Sequence, residues 1–383
     1  MIVQKMYKYR LYRSDKKDRK LRHKLFVAAT IWNHFIALQR RYYRLSGKYI
    51  SLHDMNKHVL KLRKTNRFAL WQGLHSQVCQ NVCRRVDDAY QRFFKGLAKG
   101  RPKFRKAKKY SSFTFPQSGY RVHDNRVTID GTTYKFVKHR DLNGQLKTLT
   151  IKRDTVGRLW LVFSVVEDMT IEKVSTGKSG GFDFGLKTFL TDNEGHAYIS
   201  PQFYRQGMRK TRQLNRRLSR KVEGSHRYRR AKRQLAKHSA QVANQRRDHH
   251  FKLAHALCDE YDVLYFEDLN LQGMKALWGR KISDVGFARF RGILEWVALK
   301  RGKKLIFIDR WERTTGKCSH CGHRQKMALH QRWFCCEQCG FELGRDHNAA
   351  INILCAGASA PYKSDRKTRL RLRSRVDGRS SRP

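Results

Sequence analysis

Two Cys-x-x-Cys pairs, Cys318-Ser-His-Cys321 and Cys336-Glu-Gln-Cys339, stand with 14 residues between them near the carboxyl end of a 383-residue chain. Nothing else in the sequence limits its local fold as tightly. Four thiolates delivered as two knuckles satisfy tetrahedral zinc, and Gly322 and Gly340, directly after each pair, allow the tight turn each knuckle needs. With four protein ligands the site is closed, so one Zn²⁺ here is structural and not catalytic. Residues 317–340 are expected to form a zinc ribbon. One ligand stays open: Cys335 sits beside Cys336 and could replace it with a Cys-x-x-x-Cys spacing. His320 and His323 are spare candidates that read as surface residues.

The other cysteines, Cys79, Cys83, Cys258 and Cys355, are scattered, and the total of nine is odd. This usage points to a reducing compartment and not to a disulfide framework. The opening Met-Ile-Val-Gln-Lys lacks a signal-peptide plan, and no apolar run approaches the roughly 20 residues that span a bilayer. A cytoplasmic location without a membrane partner is expected. Charge then names the partner class. Lys and Arg number 84 against 31 Asp and Glu, a net charge of +53. A compact chain with that excess repels itself unless a polyanion neutralises it, which argues for nucleic acid and against an ordinary metabolic enzyme. In a bacterium or archaeon that places the protein at the nucleoid. Hydrophobic residues at 40% suffice for real cores.

Periodicity divides the chain. Residues 1–15 alternate as a strand, with Tyr7, Tyr9 and Leu11 on one side and Lys8 and Arg10 on the other. Leu21, Leu25, Ala28, Trp32 and Phe35, then Leu74, Val78, Val82, Val86, Tyr90, Phe93 and Leu97, trace apolar helix faces within 16–111. Strand-like segments follow through 112–175, so 1–15 and 112–175 are expected to form one β domain interrupted by helices. Lys173–Gly181 reads as a linker ending in Gly-Gly. The α/β pattern of 180–316 and 341–355 forms a further domain. Inside it, 205–255 is a basic helical hairpin broken near Gly224-Ser225, with 17 Lys/Arg against Glu223 and Asp248 over 205–253. The tail 356–383 reads as basic and disordered. Lys103 and Arg105, in a loop where basic and aromatic residues interleave, and Arg216, Arg217, Arg230 and Lys232 in the hairpin are candidate nucleic-acid contacts.

Three carboxylates stand out in the α/β half. Asp183 lies in a short strand between Phe182 and Phe184, Glu267 ends the apolar strand Val263-Leu-Tyr-Phe, and Asp346 opens a helix. Each alone has a plain alternative: a turn acid, a solvated strand end, a helix N-cap. Together their order matches a ribonuclease-H-like plan, in which separate carboxylates hold two Mg²⁺ ions roughly 4 Å apart for phosphodiester hydrolysis. Carboxylates suit that work because Mg²⁺ is hard and binds oxygen. Nothing in the chain calls for a small-molecule cofactor.

Gly181-Phe-Asp-Phe-Gly-Leu-Lys, Phe266-Glu-Asp-Leu, the two cysteine pairs and Gly344-Arg-Asp-His-Asn-Ala-Ala-Ile-Asn-Ile together resemble the TnpB family. These are RNA-guided nucleases encoded by insertion sequences and related to the ancestors of type V CRISPR effectors. Tyr9-Arg-Leu-Tyr, Trp32-Asn-His-Phe and Gly100-Arg-Pro-Lys-Phe-Arg-Lys extend the resemblance to about residues 3–355. It implies a wedge-like β-barrel interrupted by a helical recognition bundle, then a RuvC nuclease domain with a zinc ribbon. It further implies a RuvC triad at Asp183, Glu267 and Asp346, and a guide RNA from the element's end. Double-stranded DNA is then cut beside a short flanking motif. His347 departs from the family, where an acidic residue is common after the last acid. A nuclease-inactive, RNA-guided repressor and an accessory transposase are the alternatives. The presence of all three acids speaks against the first, and the extent of the resemblance against the second.

Overall fold

The computed structural model describes residues 1–171, 174–185, 188–270, 273, 279, 285–312, 314–328 and 330–359. The Leu186-Lys187 end of the first acid motif and most of the basic tail lie outside the described residues. The chain divides into two compact units, 1–170 with 216–237, and 171–215 with the chain from 238 on. The middle of the basic hairpin thus groups with the first unit.

In the first unit, β1 (Ile2–Leu11) is followed by α1 (Asp15–Ser46), α2 (Leu52–Leu62), a 3₁₀ segment (Asn66–Gly73) and α3 (Ser76–Phe94). Six strands follow: β2 (Ser112–Phe115), β3 (Tyr120–His123), β4 (Arg126–Ile129), β5 (Thr132–Val137), β6 (Gln145–Arg153) and β7 (Leu159–Asp168). They form one seven-stranded sheet of order β2-β6-β7-β1-β5-β4-β3, nearly closed on itself. β1 lies inside it, antiparallel to β7 from Ile2↔Asp168 to Arg10↔Trp160. The alternation read in β1 is its burial pattern: Val3, Tyr7, Tyr9 and Leu11 are buried. Tyr9 belongs to the same buried cluster as the helix stripe residues Leu21, Leu25, Trp32 and Phe35, and as Val78, Val82 and Phe163, so sheet and helices share one core. α1 stops at Gly47, whose φ of 65° lets its N–H reach the Tyr43 carbonyl at 2.8 Å. The second stripe ends sooner than its spacing suggests. Leu97 lies past the end of α3 and is exposed.

The second unit opens with three antiparallel strands, β8 (Ser179–Phe184), β9 (Leu190–Asp192) and β10 (Ala197–Tyr198). Along the chain then come α4 (Phe203–Ser219) and α5 (His226–Glu260), whose facing ends over 216–237 group with the first unit, and β11 (Val263–Glu267), α6 (Phe287–Lys300) and β12 (Lys304–Ile308). The sheet order is β10-β9-β8-β11-β12, with β11 parallel to both β8 and β12. Between α4 and α5 the chain turns at Gly224, at φ 85°, and the Ser225 hydroxyl accepts the Tyr228 amide at 3.0 Å. A short ribbon of β13 (Trp333–Cys335) and β14 (Glu342–Gly344) runs directly into α7 (Arg345–Ser359).

Period-two alternation sorts β11 between two cores. Leu264 and Phe266 join Phe182 and residues of α5 and α6, while Tyr265 joins Ile353 of α7. The Gly-Gly pair read as the end of a linker belongs to β8 instead. A Cβ on Gly181 would come within 2.4 Å of the Ala350 carbonyl and 2.6 Å of the Leu354 nitrogen. Glycine is there because helix α7 packs directly on the strand backbone. The preceding segment is also fastened: Asp262 accepts from Ser175 Oγ and from the amides of Thr176 and Gly177 at 2.7–2.8 Å.

Candidate active site and metal centre

The first acid is placed by the same packing. In β8, Phe182 and Phe184 face the aromatic core, where Phe182 stacks on Phe266 with ring centroids 5.0 Å apart. Alternation then turns Asp183 to the side of Gly181, the side on which α7 lies. Moving from Gly181 to Asp183 advances about 6.6 Å along a strand. Four helical residues, about 6 Å, separate Ala350, which touches Gly181, from Asp346 in the first turn of α7. β11 brings the third acid. Its register with β8 runs Leu264↔Gly180, Tyr265↔Gly181 and Phe266↔Phe182, so Glu267 follows at the level of Asp183.

The electrostatics agree with that convergence. Burial, then the charges of Asp346 and Glu267, push the Asp183 carboxyl up to about 7, against an opposing pull from Arg345. Burial and the neighbouring Asp268 also raise Glu267. Asp268 itself goes the other way. Burial works against its charge, yet Arg310 at 2.6 Å and Arg291 at 2.9 Å hold its carboxyl below the ordinary range. In the Glu-Asp pair, the second acid is therefore spent on two arginines and the first is left for the site. A cluster of carboxylates that raise one another's cost of ionisation is matched to a cation.

Helix α7 is held by contacts the sequence reading does not contain. Asn348 Oδ1 accepts the Ser319 amide at 3.0 Å, and its Nδ2 donates to the Lys317 carbonyl at 2.8 Å. One turn on, Asn352 Nδ2 donates to the carbonyls of Thr314 and Lys317. The helix bearing Asp346 is thus tied to the first cysteine knuckle. On another side His347 Nε2 meets the Asn193 carbonyl at 3.0 Å, while Asn193 Oδ1 accepts the Gly181 amide at 2.9 Å. One residue links the strand of Asp183 to the helix of Asp346. Two asparagines spaced i, i+4 inside a helix are a signal that could have found part of this, because asparagine disfavours helix interiors unless its amide has other work.

The four thiols of Cys318, Cys321, Cys336 and Cys339 lie within 4.8 Å of one another, the spacing of a common metal ion. Among the described residues this is the one such group of three or more ligand-type side chains. The knuckle turns are made by the Gly322 amide on the Cys318 carbonyl and the Gly340 amide on the Cys336 carbonyl, each at 3.0 Å. The structure brings Cys336, not Cys335, into the group. In β13 Phe334 is buried and Cys335 exposed, and the next residue inward is Cys336. Burial opposes its ionisation, but the amides of Cys339 and Gln338 and the adjoining thiols bring Cys336 down to about 6. Four thiols gathered at this spacing fit Zn²⁺.

The candidate nucleic-acid residues are exposed. Arg105 lays its guanidinium 4.0 Å over the Trp32 ring, and its backbone is held by Asn33 through two hydrogen bonds. The Lys103 carbonyl accepts from Trp32 Nε1 at 3.2 Å. Arg216 and Arg217 lie on α4, and Arg230 and Lys232 on α5, with Lys232 over Tyr228 at 5.6 Å.

Three family models match the chain. Residues 1–48 match a helix-turn-helix domain of IS605 OrfB proteins, 163–277 the IS605 OrfB model described as "Probable transposase", and 287–353 "Cas12f1-like, TNB domain". A Streptomyces pristinaespiralis protein named "Putative RNA-guided DNA endonuclease" is 27% identical over 99% of this chain and 95% of its own length. "TnpB-like protein L79" of Acanthamoeba polyphaga mimivirus is 28% identical over 57% of this chain and 44% of its own. The chain thus carries IS605 OrfB and Cas12f1-like TNB segments and is similar to proteins named RNA-guided DNA endonuclease and TnpB-like. Its fold is that of a Cas12f1 protein solved with a single guide RNA and target DNA, at a TM-score of 0.59 and 13% identity over 92% of this chain and 98% of the other. In this chain the segment matched as helix-turn-helix is a strand followed by one 32-residue helix. No helix among the described residues is long and apolar enough to cross a membrane.

Proposed function

We propose that this protein is the RNA-guided DNA endonuclease of an IS605-type insertion sequence, cutting double-stranded DNA beside a short flanking motif. The observation that carries the reading is that Asp183 and Glu267, at the carboxyl ends of the adjacent strands β8 and β11, meet Asp346 in the first turn of α7, with burial and mutual charge raising Asp183. The sheet order, three antiparallel strands followed by two parallel ones, supports a ribonuclease-H-like, RuvC-type core. Asp183, Glu267 and Asp346 would hold Mg²⁺, which when bound supplies an activated water and stabilises the leaving oxygen of the phosphodiester. The chain's own part is positioning. Asn193 and His347 set the strand of Asp183 against the helix of Asp346, and Arg291 and Arg310 neutralise Asp268 so that it does not compete with Glu267. The cysteine cluster, through Asn348 and Asn352, gives α7 a fixed base and takes no part in chemistry. The net charge of +53 suits a guide RNA and its target, with the heteroduplex held by backbone and shape.

The test is direct. Purified with RNA from its own locus and supplied with Mg²⁺, the protein should cut a plasmid library only where a guide match lies beside one motif. Asp183→Ala should lower cutting at least a thousandfold, to about background, while guide-directed binding in a gel-shift assay stays near wild type. A variant that still cuts would remove the triad from the reading. Guided binding by the wild type without any cutting would favour a repressor.

A further inference from the structure

Two tryptophans of the second unit stay outside its cores. Trp311 is 83% exposed and Trp333 72% exposed, although an indole is among the largest surfaces a chain can bury. Both stand on fixed backbone. Asp309 Oδ1 accepts the Trp311 amide at 2.9 Å, and the adjoining Arg310 is pinned to Asp268 at 2.6 Å. Trp333 opens β13 on the face opposite buried Phe334, and the Arg345 amide closes the ribbon onto the Arg332 carbonyl at 2.8 Å.

Each indole is also a short run of backbone away from a candidate catalytic acid. Trp311 follows Ile308 by three residues, and Ile308 is the register partner of Glu267. Trp333 pairs with Gly344, two residues before Asp346. Two Cα steps of about 3.8 Å and one cross-strand pair of about 5 Å keep the Cα atoms of Trp333 and Asp346 within about 13 Å. The stretch that holds both tryptophans is basic, with seven Lys/Arg against three Glu over 310–345. That balance repels another copy of this cationic chain and attracts a polyanion.

We propose that Trp311 and Trp333 are base-stacking residues that hold unpaired nucleotides of the DNA strand at the acid site. A nucleobase offers its full face to an indole only when it is out of its pair, and such stacking tolerates any sequence. The inference rests on the nuclease reading and names the residues that grip the strand to be cut.

The experiment uses the full chain loaded with its guide RNA. A short single-stranded DNA carrying 5-bromodeoxyuridine is photocrosslinked to the wild type and the attached residues are mapped. Its affinity is compared for Trp311→Ala, Trp333→Ala and the two Phe variants, followed by the concentration that half-saturates cutting. Crosslinks at Trp311 or Trp333 are expected. Each Ala variant should bind about tenfold more weakly, with half-saturation shifted to match, and the Phe variants should keep most of the affinity. Because both side chains are exposed, the variants should retain wild-type zinc content and thermal midpoint, which separates this effect from misfolding. Ala variants that bind and cut with the wild-type concentration dependence would overturn the stacking role and leave the nuclease reading intact. Weakening seen only with single-stranded RNA would overturn it as well. Crosslinks at these residues without any cutting would support stacking and sink the nuclease.

Discussion

Cys335 and Cys336 are neighbours with the same chemistry and opposite placement. A strand turns successive side chains to opposite faces, so only one of the two can point into the thiol cluster. Cys335 is exposed and Cys336 is buried among Cys318, Phe334 and their neighbours. Cys335→Ser should therefore keep one zinc per chain by elemental analysis, with a melting temperature close to wild type. Cys336→Ser should lose zinc outright. Its effect should spread, because Asn348 and Asn352 take their hydrogen bonds from the backbone of Thr314, Lys317 and Ser319 around the first knuckle. Chelation of the wild type should reproduce the Cys336→Ser phenotype: an unanchored α7 and loss of cutting. Retention of zinc by Cys336→Ser together with its loss from Cys335→Ser would reverse the ligand assignment.

Among the elements, α7 and β8 are the pair on which the site depends, and their separation is set by the absence of a side chain. Gly181→Ala would put a Cβ against the backbone of α7 at Ala350 and Leu354, where no rotamer can relieve it. Overpacking of this kind costs about 1–3 kcal/mol, and here the shift is delivered to the helix that opens with Asp346. The expected result is a lower melting temperature and a fall in cutting greater than the fall in guided binding. Equal losses in both would mean general unfolding. The strands and helices of this region were readable from sequence because each buries one face and keeps a regular period. Glu267 at a strand end and Asp346 in a first helical turn could be located by the same periods. The glycines of β8 were not readable, since Gly-Gly looks the same in a linker as under a closely packed helix. Asn193 was also hidden, because its partners Gly181 and His347 lie 12 and 154 residues away. Spacing carries no trace of contacts that only the tertiary fold creates.

For the whole molecule, charge dominates. With +53 formal charges the protein should bind duplex DNA without a guide at low salt, and that binding should fall steeply as salt rises. Six to ten phosphate contacts would lose roughly 10³–10⁵ in affinity between 50 and 200 mM salt. Guided binding should decline less, since base pairing adds a component that salt does not screen. A flat salt response for unguided binding, measured by fluorescence anisotropy, would mean that the basic surface does not touch the backbone.

The position of β1 inside its sheet has a bearing on how the chain is made. Ile2 pairs with Asp168 and Arg10 with Trp160, so β1 leaves the ribosome some 150 residues ahead of its main partner. At 5–20 residues per second that is a wait of roughly 8–30 s, during which Val3, Tyr7, Tyr9 and Leu11 have no sheet to join. Helices α1 to α3 need only local contacts and can assemble in that interval, giving the waiting strand an apolar surface to rest on. The same order governs the acids. Asp183 is synthesised 163 residues ahead of Asp346, and the helix that carries Asp346 docks only once the cysteine ribbon before it has been made. A nascent chain therefore completes the strands of its first sheet well before it can bring the three acids together.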